Sequence, residues 1–204
     1  VVDTITTGED GTAQSQPLYL GKFQVKEIEF PNGMVDTGEN ITNVELVYAG
    51  QEVEVTEASV NVYNQRQKAL VSLDKVLEQD ETFGIGMNGE ISAVTFGLYA
   101  QEDITAADGS VIPADSLLEI VSVDENGHAL CSTDLPFASY YLKELSTDSH
   151  YLPSDATFPF TFEYGGPSVA VVEIAANDGE AISNELIRGE IRGIKTDENG
   201  TGLG

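Results

Sequence analysis

The pattern of LPFASYYLKE, residues 135–144, occurs a second time earlier in the chain. LYLGKFQVKE, residues 18–27, aligns with it at an offset of 117 residues, and both stretches end on a Lys-Glu pair. The acidic turns upstream also match, TTGEDGTA against SVDENGHA. Such self-similarity at a fixed spacing indicates that one structural module is repeated along the chain.

An asparagine–lysine pair repeats at nearly the same spacing. Asn64 is followed eleven residues later by Lys75, and Asn184 is followed eleven residues later by Lys195. The period is therefore close to 120 residues, and the chain is shorter than two periods. We predict three parts: residues 1–66 as the C-terminal half of a module, 67–187 as a complete module, and 188–204 as the first strand of a following module.

Alternating apolar and polar residues predict strands throughout both modules. Clusters of Gly, Asp, Asn and Pro separate these runs and are typical of turns. Many short strands at regular turn spacing favour an all-β sandwich. The runs are FQVKEIEF, VEVTEASVNVY, KALVSLDKV, ISAVTFGLYA, YYLKEL, FPFTFEY and VAVVEIA.

The composition limits the classes of partner. The chain has 204 residues, 41% of them hydrophobic, and a formal net charge of −26. This charge argues against nucleic acid and anionic membranes as partners, because both would be repelled. A single cysteine, Cys131, allows no internal disulfide and is expected to be a buried small apolar residue.

Three polar side chains are predicted to point into the core. Side chains two residues apart on a strand share a face, and Lys75, Glu144 and Asn184 each continue an apolar stripe. A buried amine, carboxyl or amide is costly unless it is paired. A buried ion pair with a hydrogen-bonded amide is one explanation. The preceding residues on these faces are Val71 and Leu73, Tyr140 and Leu142, and Ile182.

A chemical explanation also fits these three residue types. A desolvated lysine has a lowered pKa and can attack as a neutral amine. A carboxyl group kept protonated by an apolar site can polarise the amide and protonate its leaving nitrogen. Lys75 and Asn184 would then condense to an amide with release of ammonia, assisted by Glu144, with proximity in the fold supplying most of the rate.

These residues lie in a pattern that resembles the collagen-adhesin B-type domains (CnaB, SpaA-type or prealbumin-like) of Gram-positive surface adhesins and pilins. The matching pieces are Lys75 in a first strand, VTFGLYAQEDI at 94–104, VDENGHA followed by LPFASYYLKEL, and the closing strand with Asn184. The stretch LPFAS departs from the family, which usually has Gly before the tyrosine strand.

The resemblance implies tandem Greek-key, inverse immunoglobulin-like β-sandwich modules with an intramolecular Lys–Asn isopeptide bond. Lys75 and Asn184 would form the cross-link, and Glu144 would be the assisting acid. Glu27 is the equivalent acid of the partial module, and Asn64 and Lys195 are unpaired equivalents. Strand addition between neighbouring molecules is one way in which these two could meet.

The function implied is that of a structural stalk or adhesin repeat, extracellular and attached to the cell surface or cell wall, with neighbouring modules of the parent protein as partners. No cofactor and no catalysis on other molecules is expected. Two alternatives remain open: a ligand-binding adhesive module for a host protein or carbohydrate, and an accessory domain of a surface enzyme.

Other motifs are weak. We expect no metal site, because no calcium loop pattern occurs and the two histidines stand apart. Asp148, Ser149 and His150 are adjacent in sequence, which is not how catalytic triads form, and no G-x-S-x-G motif accompanies them. No run approaches the roughly 20 apolar residues of a membrane span, and no insertion in a membrane is expected.

Overall fold

The structure is a computed structural model that describes residues 1–38, 41–106 and 108–202. The chain divides into two compact units. The first comprises Val1–Gln67 and Tyr164–Ala170, and the second comprises Lys68–Glu163 and Val171–Gly204. Strands make up nearly all the regular structure of the described residues, which confirms the all-β prediction.

The first sheet of the second unit is built around its first strand, β5 (Lys68–Leu77). The short strand β10 (His128–Leu130) pairs with β5 antiparallel. Two later strands, β13 (Val171–Ala175) and β14 (Ile182–Asn184), pair with β5 in parallel. The first and last strands of the unit are therefore parallel neighbours, with Ile182 opposite Lys75 and Asn184 opposite Leu77.

The second sheet of this unit has four antiparallel strands in the order β12–β11–β6–β9. Their bounds are β6 Thr95–Ala100, β9 Leu117–Ser122, β11 Ala138–Ser146 and β12 Thr157–Phe162. Two short strands, β7 (Ile104–Thr105) and β8 (Val111–Ile112), form a hairpin between β6 and β9. Short 3₁₀ segments occur at Glu90–Ala93 and Ala176–Gly179.

The core of the second unit includes Val71, Leu73, Tyr140 and Leu142, which alternation along the strands predicted to be on the buried face. Each fully buried side chain of this kind contributes about 1.5–3 kcal/mol relative to leaving it exposed. The hydroxyl of Tyr140, which is itself fully buried, donates to the carbonyl of Pro136 at 2.6 Å. The central members of this core are Val71, Leu73, Phe96, Leu98, Tyr140, Leu142 and Phe162.

The first unit contains two small antiparallel pairs. Strand β1 (Gly21–Lys26) pairs with β3 (Ile41–Leu46), and β2 (Met34–Val35) pairs with β4 (Gln65–Arg66). The buried amide of Gln67 closes a loop of the same unit: its Nε2 donates to the carbonyls of Gly166 and Val169, and its Oε1 accepts from the Gly165 amide.

The sequence repeat recurs as a structural repeat of one strand pair. Strand β1 corresponds to β11, and β3 corresponds to β12. The register is the same in both pairs, since Gly21 faces Leu46 where Ala138 faces Phe162. The first unit therefore contains a counterpart of the β11–β12 hairpin, which in the second unit forms one edge of the four-stranded sheet.

The strand predicted for VEVTEASVNVY, residues 53–63, is wrong, because no described residue from 47 to 64 lies in a strand. By the repeat, this segment corresponds to β13 and β14, which both pair with β5. A strand forms only where a neighbour supplies its hydrogen bonds, and the described part of the first unit contains no counterpart of β5.

The assignment of residues 1–66, 67–187 and 188–204 to modules stays a prediction. Residues 188–202 form no strand in the structure, and an isolated bridge between Thr196 and Gly202 closes a turn there. A first strand in this segment would need the neighbours of a following module. Among the described residues, no helix is both long and apolar enough to cross a membrane.

Candidate functional site

Lys75 lies on the core face of β5 and is 2% exposed. It continues the stripe of Val71 and Leu73, so its position follows directly from the strand's alternation. Burial lowers the pKa of Lys75 from its usual 10.5, and the neighbouring Glu144 carboxylate opposes part of that change. Desolvation therefore favours a neutral, nucleophilic amine at this position.

Asn184 ends strand β14 and is 3% exposed. The Nζ atom of Lys75 donates to Oδ1 of Asn184 at 2.6 Å. These two residues are 109 positions apart in sequence and meet because β14 runs parallel to β5. The backbone carbonyl of Asn184 also accepts from the Glu78 amide at 3.0 Å, which fixes the end of the strand.

Glu144 comes from the opposite sheet, on β11, and is 6% exposed. Its Oε1 accepts from Nδ2 of Asn184 at 2.9 Å and from the backbone amide of Ser154 at 3.1 Å. Its Oε2 lies 3.4 Å from Nζ of Lys75 and accepts no hydrogen bond from any described residue. The carboxyl group thus contacts both partners, one with each oxygen.

This arrangement places an amine, a carboxamide and a carboxyl group together, each at most 6% exposed. The amine lies on the oxygen side of the amide, and the carboxyl group lies on the nitrogen side. A proton can pass from the amine to one carboxyl oxygen, while the other oxygen is next to the nitrogen that would leave as ammonia. The three groups have the chemistry for amide condensation, and their roles in it stay a prediction.

A glycine that we interpreted as an ordinary turn residue fixes the Lys75 backbone. Gly127, with φ of 88°, accepts the Lys75 amide proton through its carbonyl at 2.7 Å. A Cβ at Gly127 would lie 2.2 Å from the carbonyl oxygen of Lys75. The glycine of the acidic turn DENG, residues 124–127, is the sequence feature that could have indicated this contact. Only glycine adopts a positive φ without strain and has no Cβ to collide with the Lys75 carbonyl.

Sequence reasoning missed Glu78, which holds the chain just beyond Asn184. Its Oε2 accepts from the Leu186 amide at 2.8 Å, and its Oε1 forms an ion pair with Arg188. The hydrogen bond from Arg188 is the main cause that lowers the pKa of Glu78. Tyr151 donates its hydroxyl to the Glu78 carbonyl at 2.9 Å. Glu78 is more than a hundred positions away from Leu186 and Arg188, and no sequence pattern indicates that they are in contact.

The first unit contains a second Glu–Asn pair. Nδ2 of Asn64 donates to Oε1 of Glu27 at 2.9 Å, the same distance and the same atoms as in Asn184 and Glu144. The other two oxygens, Oδ1 of Asn64 and Oε2 of Glu27, are buried and accept no hydrogen bond from the described residues. Lys195 belongs to the second unit, where it is exposed and outside any described strand.

The remaining motifs show no further chemical site. Within residues 1–38, 41–106 and 108–202, no group of three His, Cys, Asp or Glu side chains could hold a metal ion. His150 contacts Asp148 at 2.6 Å as a local pair on the surface. Cys131 packs against the core, and burial raises the pKa of its thiol to about 12, so it is a poor nucleophile at neutral pH.

Comparison with known proteins gives a likeness of fold. The Bacillus anthracis TIE protein superposes with a TM-score of 0.54 at 20% identity, over 90% of this chain and 28% of that one. The chain shares the fold of that protein. The chain spans little more than a quarter of the length of the TIE protein chain that it matches.

Two pilin structures are also similar, at lower scores. The minor pilin of Streptococcus agalactiae has a TM-score of 0.38 at 20% identity, over 94% of this chain and 71% of that chain. The group B streptococcus pilus 2b backbone protein has a TM-score of 0.38 at 14% identity, over 76% of this chain and 53% of that chain. No protein-family model matches the sequence, and no curated protein matches it. The predicted all-β fold is confirmed by the strands of the structure and by this likeness of fold.

Proposed function

We propose that the chain is part of a structural, load-bearing surface protein whose complete module is cross-linked by a self-formed amide between Lys75 and Asn184. The observation that supports this most is that an amine, an amide and a carboxyl group are in mutual contact in the core. Nζ of Lys75 lies 2.6 Å from Oδ1 of Asn184 and 3.4 Å from Oε2 of Glu144, and Nδ2 of Asn184 lies 2.9 Å from Oε1 of Glu144. A buried ion pair alone is a weak source of stability, because desolvation offsets much of the attraction. A covalent bond between the first and last strands gives these buried polar groups a function.

The chemistry balances with the groups present. Lys75 gives a proton to Oε2 of Glu144 and becomes a neutral amine. Its nitrogen attacks Cγ of Asn184, and a C–N bond forms. Protons from the attacking nitrogen pass through Glu144 to Nδ2 of Asn184, the old C–N bond breaks, and ammonia leaves. Burial of the three groups limits the access of water, which would otherwise solvate the amine and compete with it for Cγ of Asn184.

The position of the bond suits a protein under tension. Force applied to the chain enters β5, passes through Lys75 and the new amide to Asn184, and leaves at the end of β14. Residues 76–183 lie outside this path and bear no load. The chain would therefore act as one element of a stalk, with other modules of the parent protein on either side, at the surface of a Gram-positive cell. The pilin neighbours agree with this location.

Intact mass under denaturing conditions tests the proposal. The wild-type chain should be lighter than its sequence mass by one ammonia. Lys75→Ala, Asn184→Ala and Glu144→Gln should each restore the full sequence mass. Lys68→Ala, an exposed position on the same strand, is the matched control and should leave the ammonia loss unchanged. A full sequence mass for the wild-type chain would refute the cross-link.

A further inference from the structure

The strand that carries Asn184 is too short to fix that residue by its own pairing. Strand β14 has three residues, Ile182–Asn184, and pairs in parallel with β5. Parallel pairs are slightly less stable per residue than antiparallel ones, and a slip by one residue turns every side chain to the other face. Such a slip would move the Asn184 carboxamide away from Lys75. Contacts beyond Asn184 are therefore needed to fix the register of β14.

Glu78 holds three alternate residues of the chain that leaves β14. Its backbone amide donates to the carbonyl of Asn184 at 3.0 Å. Its Oε2 accepts from the Leu186 amide at 2.8 Å, and its Oε1 forms an ion pair with Arg188. Because Glu78 directly follows β5, it joins the end of the strand that carries Lys75 to the chain that carries Asn184.

A second segment, residues 150–154, holds the other edge of the same chain. The Leu152 amide donates to the carbonyl of Glu185 at 3.0 Å. The Ile187 amide donates to the carbonyl of His150 at 2.8 Å. The chain just beyond β14 is thus hydrogen-bonded along both edges, and Glu78 is the side chain that supplies one of them.

The same segment connects Glu78 to the assisting acid. The side chain of Tyr151 is 2% exposed, and its hydroxyl donates to the Glu78 carbonyl at 2.9 Å. Three residues later, the Ser154 amide donates to Oε1 of Glu144 at 3.1 Å. One short segment therefore orients the carboxyl group and supports the residue that holds the chain beyond Asn184.

We propose that Glu78 is a positioning residue for the condensation of Lys75 with Asn184. By holding the backbone at Leu186 and the side chain of Arg188, it keeps Cγ of Asn184 within reach of the Lys75 amine. This role rests on the proposed function and adds to it a residue that the condensation itself does not use. The step is unchanged: the C–N bond to Lys75 forms, the bond to Nδ2 of Asn184 breaks, ammonia leaves, and Glu78 takes no proton.

The expected effect is large because the geometry of attack is demanding. Reacting atoms need to lie about 3–3.5 Å apart, and a misplacement of about 1 Å costs on the order of 100-fold in rate. Nζ of Lys75 already lies 2.6 Å from Oδ1 of Asn184. Loss of the Glu78 side chain frees both the Leu186 amide and Arg188, so ammonia loss should slow by on the order of 10- to 100-fold in a chain that stays folded.

The rate is measured on chains made in a short pulse of cell-free synthesis. Samples are denatured at successive times, and intact mass gives the fraction that has lost ammonia. Glu78→Ala should show the full slowing. Glu78→Gln and Arg188→Ala lose the ion pair but keep an acceptor for the Leu186 amide, so their rates should lie between those of Glu78→Ala and the wild type. Glu173→Ala is the matched control: it removes an exposed carboxylate from β13, which also pairs with β5, and should react at the wild-type rate.

Folding is measured separately, because a partly unfolded chain would also react slowly. No bond can form in a Lys75→Ala background, so circular dichroism there gives the folded fraction with and without Glu78→Ala. The rates are compared at a temperature at which both of these chains are fully folded. Slower ammonia loss under that condition supports positioning, and a rate that falls only in proportion to the folded fraction would overturn it.

The outcomes separate this role from the proposed function. Ammonia loss in the wild type, with an unchanged rate in folded Glu78→Ala, would overturn the positioning role and leave the cross-link standing. If Glu78→Ala folds at no temperature, wild-type rates in both Glu78→Gln and Arg188→Ala would overturn the role instead. A wild-type chain that keeps its full sequence mass would refute the cross-link and the positioning role together.

Discussion

Replacement of Glu144 by Gln should destabilise the second unit by an amount that can be derived from its topology. Gln has the same shape as Glu and can still contact Asn184 and the Ser154 amide, so core volume and packing are kept. It cannot take the proton from Lys75, and the cross-link should not form. The variant therefore keeps the packing of the site and removes the bond together with the carboxylate that faces Lys75.

The magnitude follows from the length of the loop that the bond closes. Lys75 and Asn184 are 109 positions apart. In the chain-entropy model, a cross-link that closes a loop of about 100 residues stabilises by about 4.7 kcal/mol at 25 °C. We expect the free energy of unfolding of the second unit to fall by about 5 kcal/mol, and its thermal midpoint to fall by on the order of 15 °C.

Urea unfolding followed by circular dichroism, with the bond state of each sample checked by intact mass, measures the difference. Glu185→Gln is the matched control, because Glu185 is exposed and next to Asn184 in sequence, and it should change the free energy of unfolding by less than about 0.5 kcal/mol. A Glu144→Gln protein of full sequence mass that unfolds within about 1 kcal/mol of the wild type would contradict stabilisation by a cross-link.

Three further predictions concern mechanics, pH and the turn at Gly127. In single-molecule stretching, Lys75→Ala should release residues 76–183 as roughly 360–390 Å of extended chain, and the wild type should not; the same release from both would contradict the force path. In Asn184→Ala, which leaves Lys75 unlinked, stability should rise with pH between the lowered pKa of Lys75 and its usual 10.5, because the unfolded state binds more protons in that window. A flat profile of unfolding free energy there, relative to Lys75→Ala, would contradict a desolvated lysine. Gly127→Ala should slow ammonia loss and lower stability by more than Gly11→Ala. Both glycines have a positive φ, but only at Gly127 would the added Cβ lie 2.2 Å from the carbonyl oxygen of Lys75. Equal effects would show that backbone strain alone is responsible.

The candidate site was predictable because the signals that define it are local and repeated. Lys75, Glu144 and Asn184 each continue an apolar stripe with a period of two, which fixes the face on which they lie. The repetition of Glu27 and Asn64 one period earlier distinguished these residues from polar side chains at the ends of strands. Their contact across the two sheets follows from the fold that the resemblance implies.

The parts that were not predictable depend on contacts that sequence does not record. Residues 53–63 have a strand pattern and form none, because a strand needs a neighbour and the first unit has no described counterpart of β5 to provide one. Glu78 meets Leu186 and Arg188 only after β14 has docked beside β5. The sequence indicates only a turn at Gly127. Its contact with the Lys75 backbone depends on the fold, which brings the carbonyl oxygen of Lys75 to 2.2 Å from the Cβ position of Gly127.

Locating the bond in the wild-type chain tests whether Lys75 and Asn184 are cross-linked. Proteolysis under denaturing conditions followed by tandem mass spectrometry should give one linked peptide pair, joined through the side chains of Lys75 and Asn184 and lighter than the two peptides by one ammonia. Recovery of these peptides as two separate, unmodified species from folded wild-type protein would contradict it.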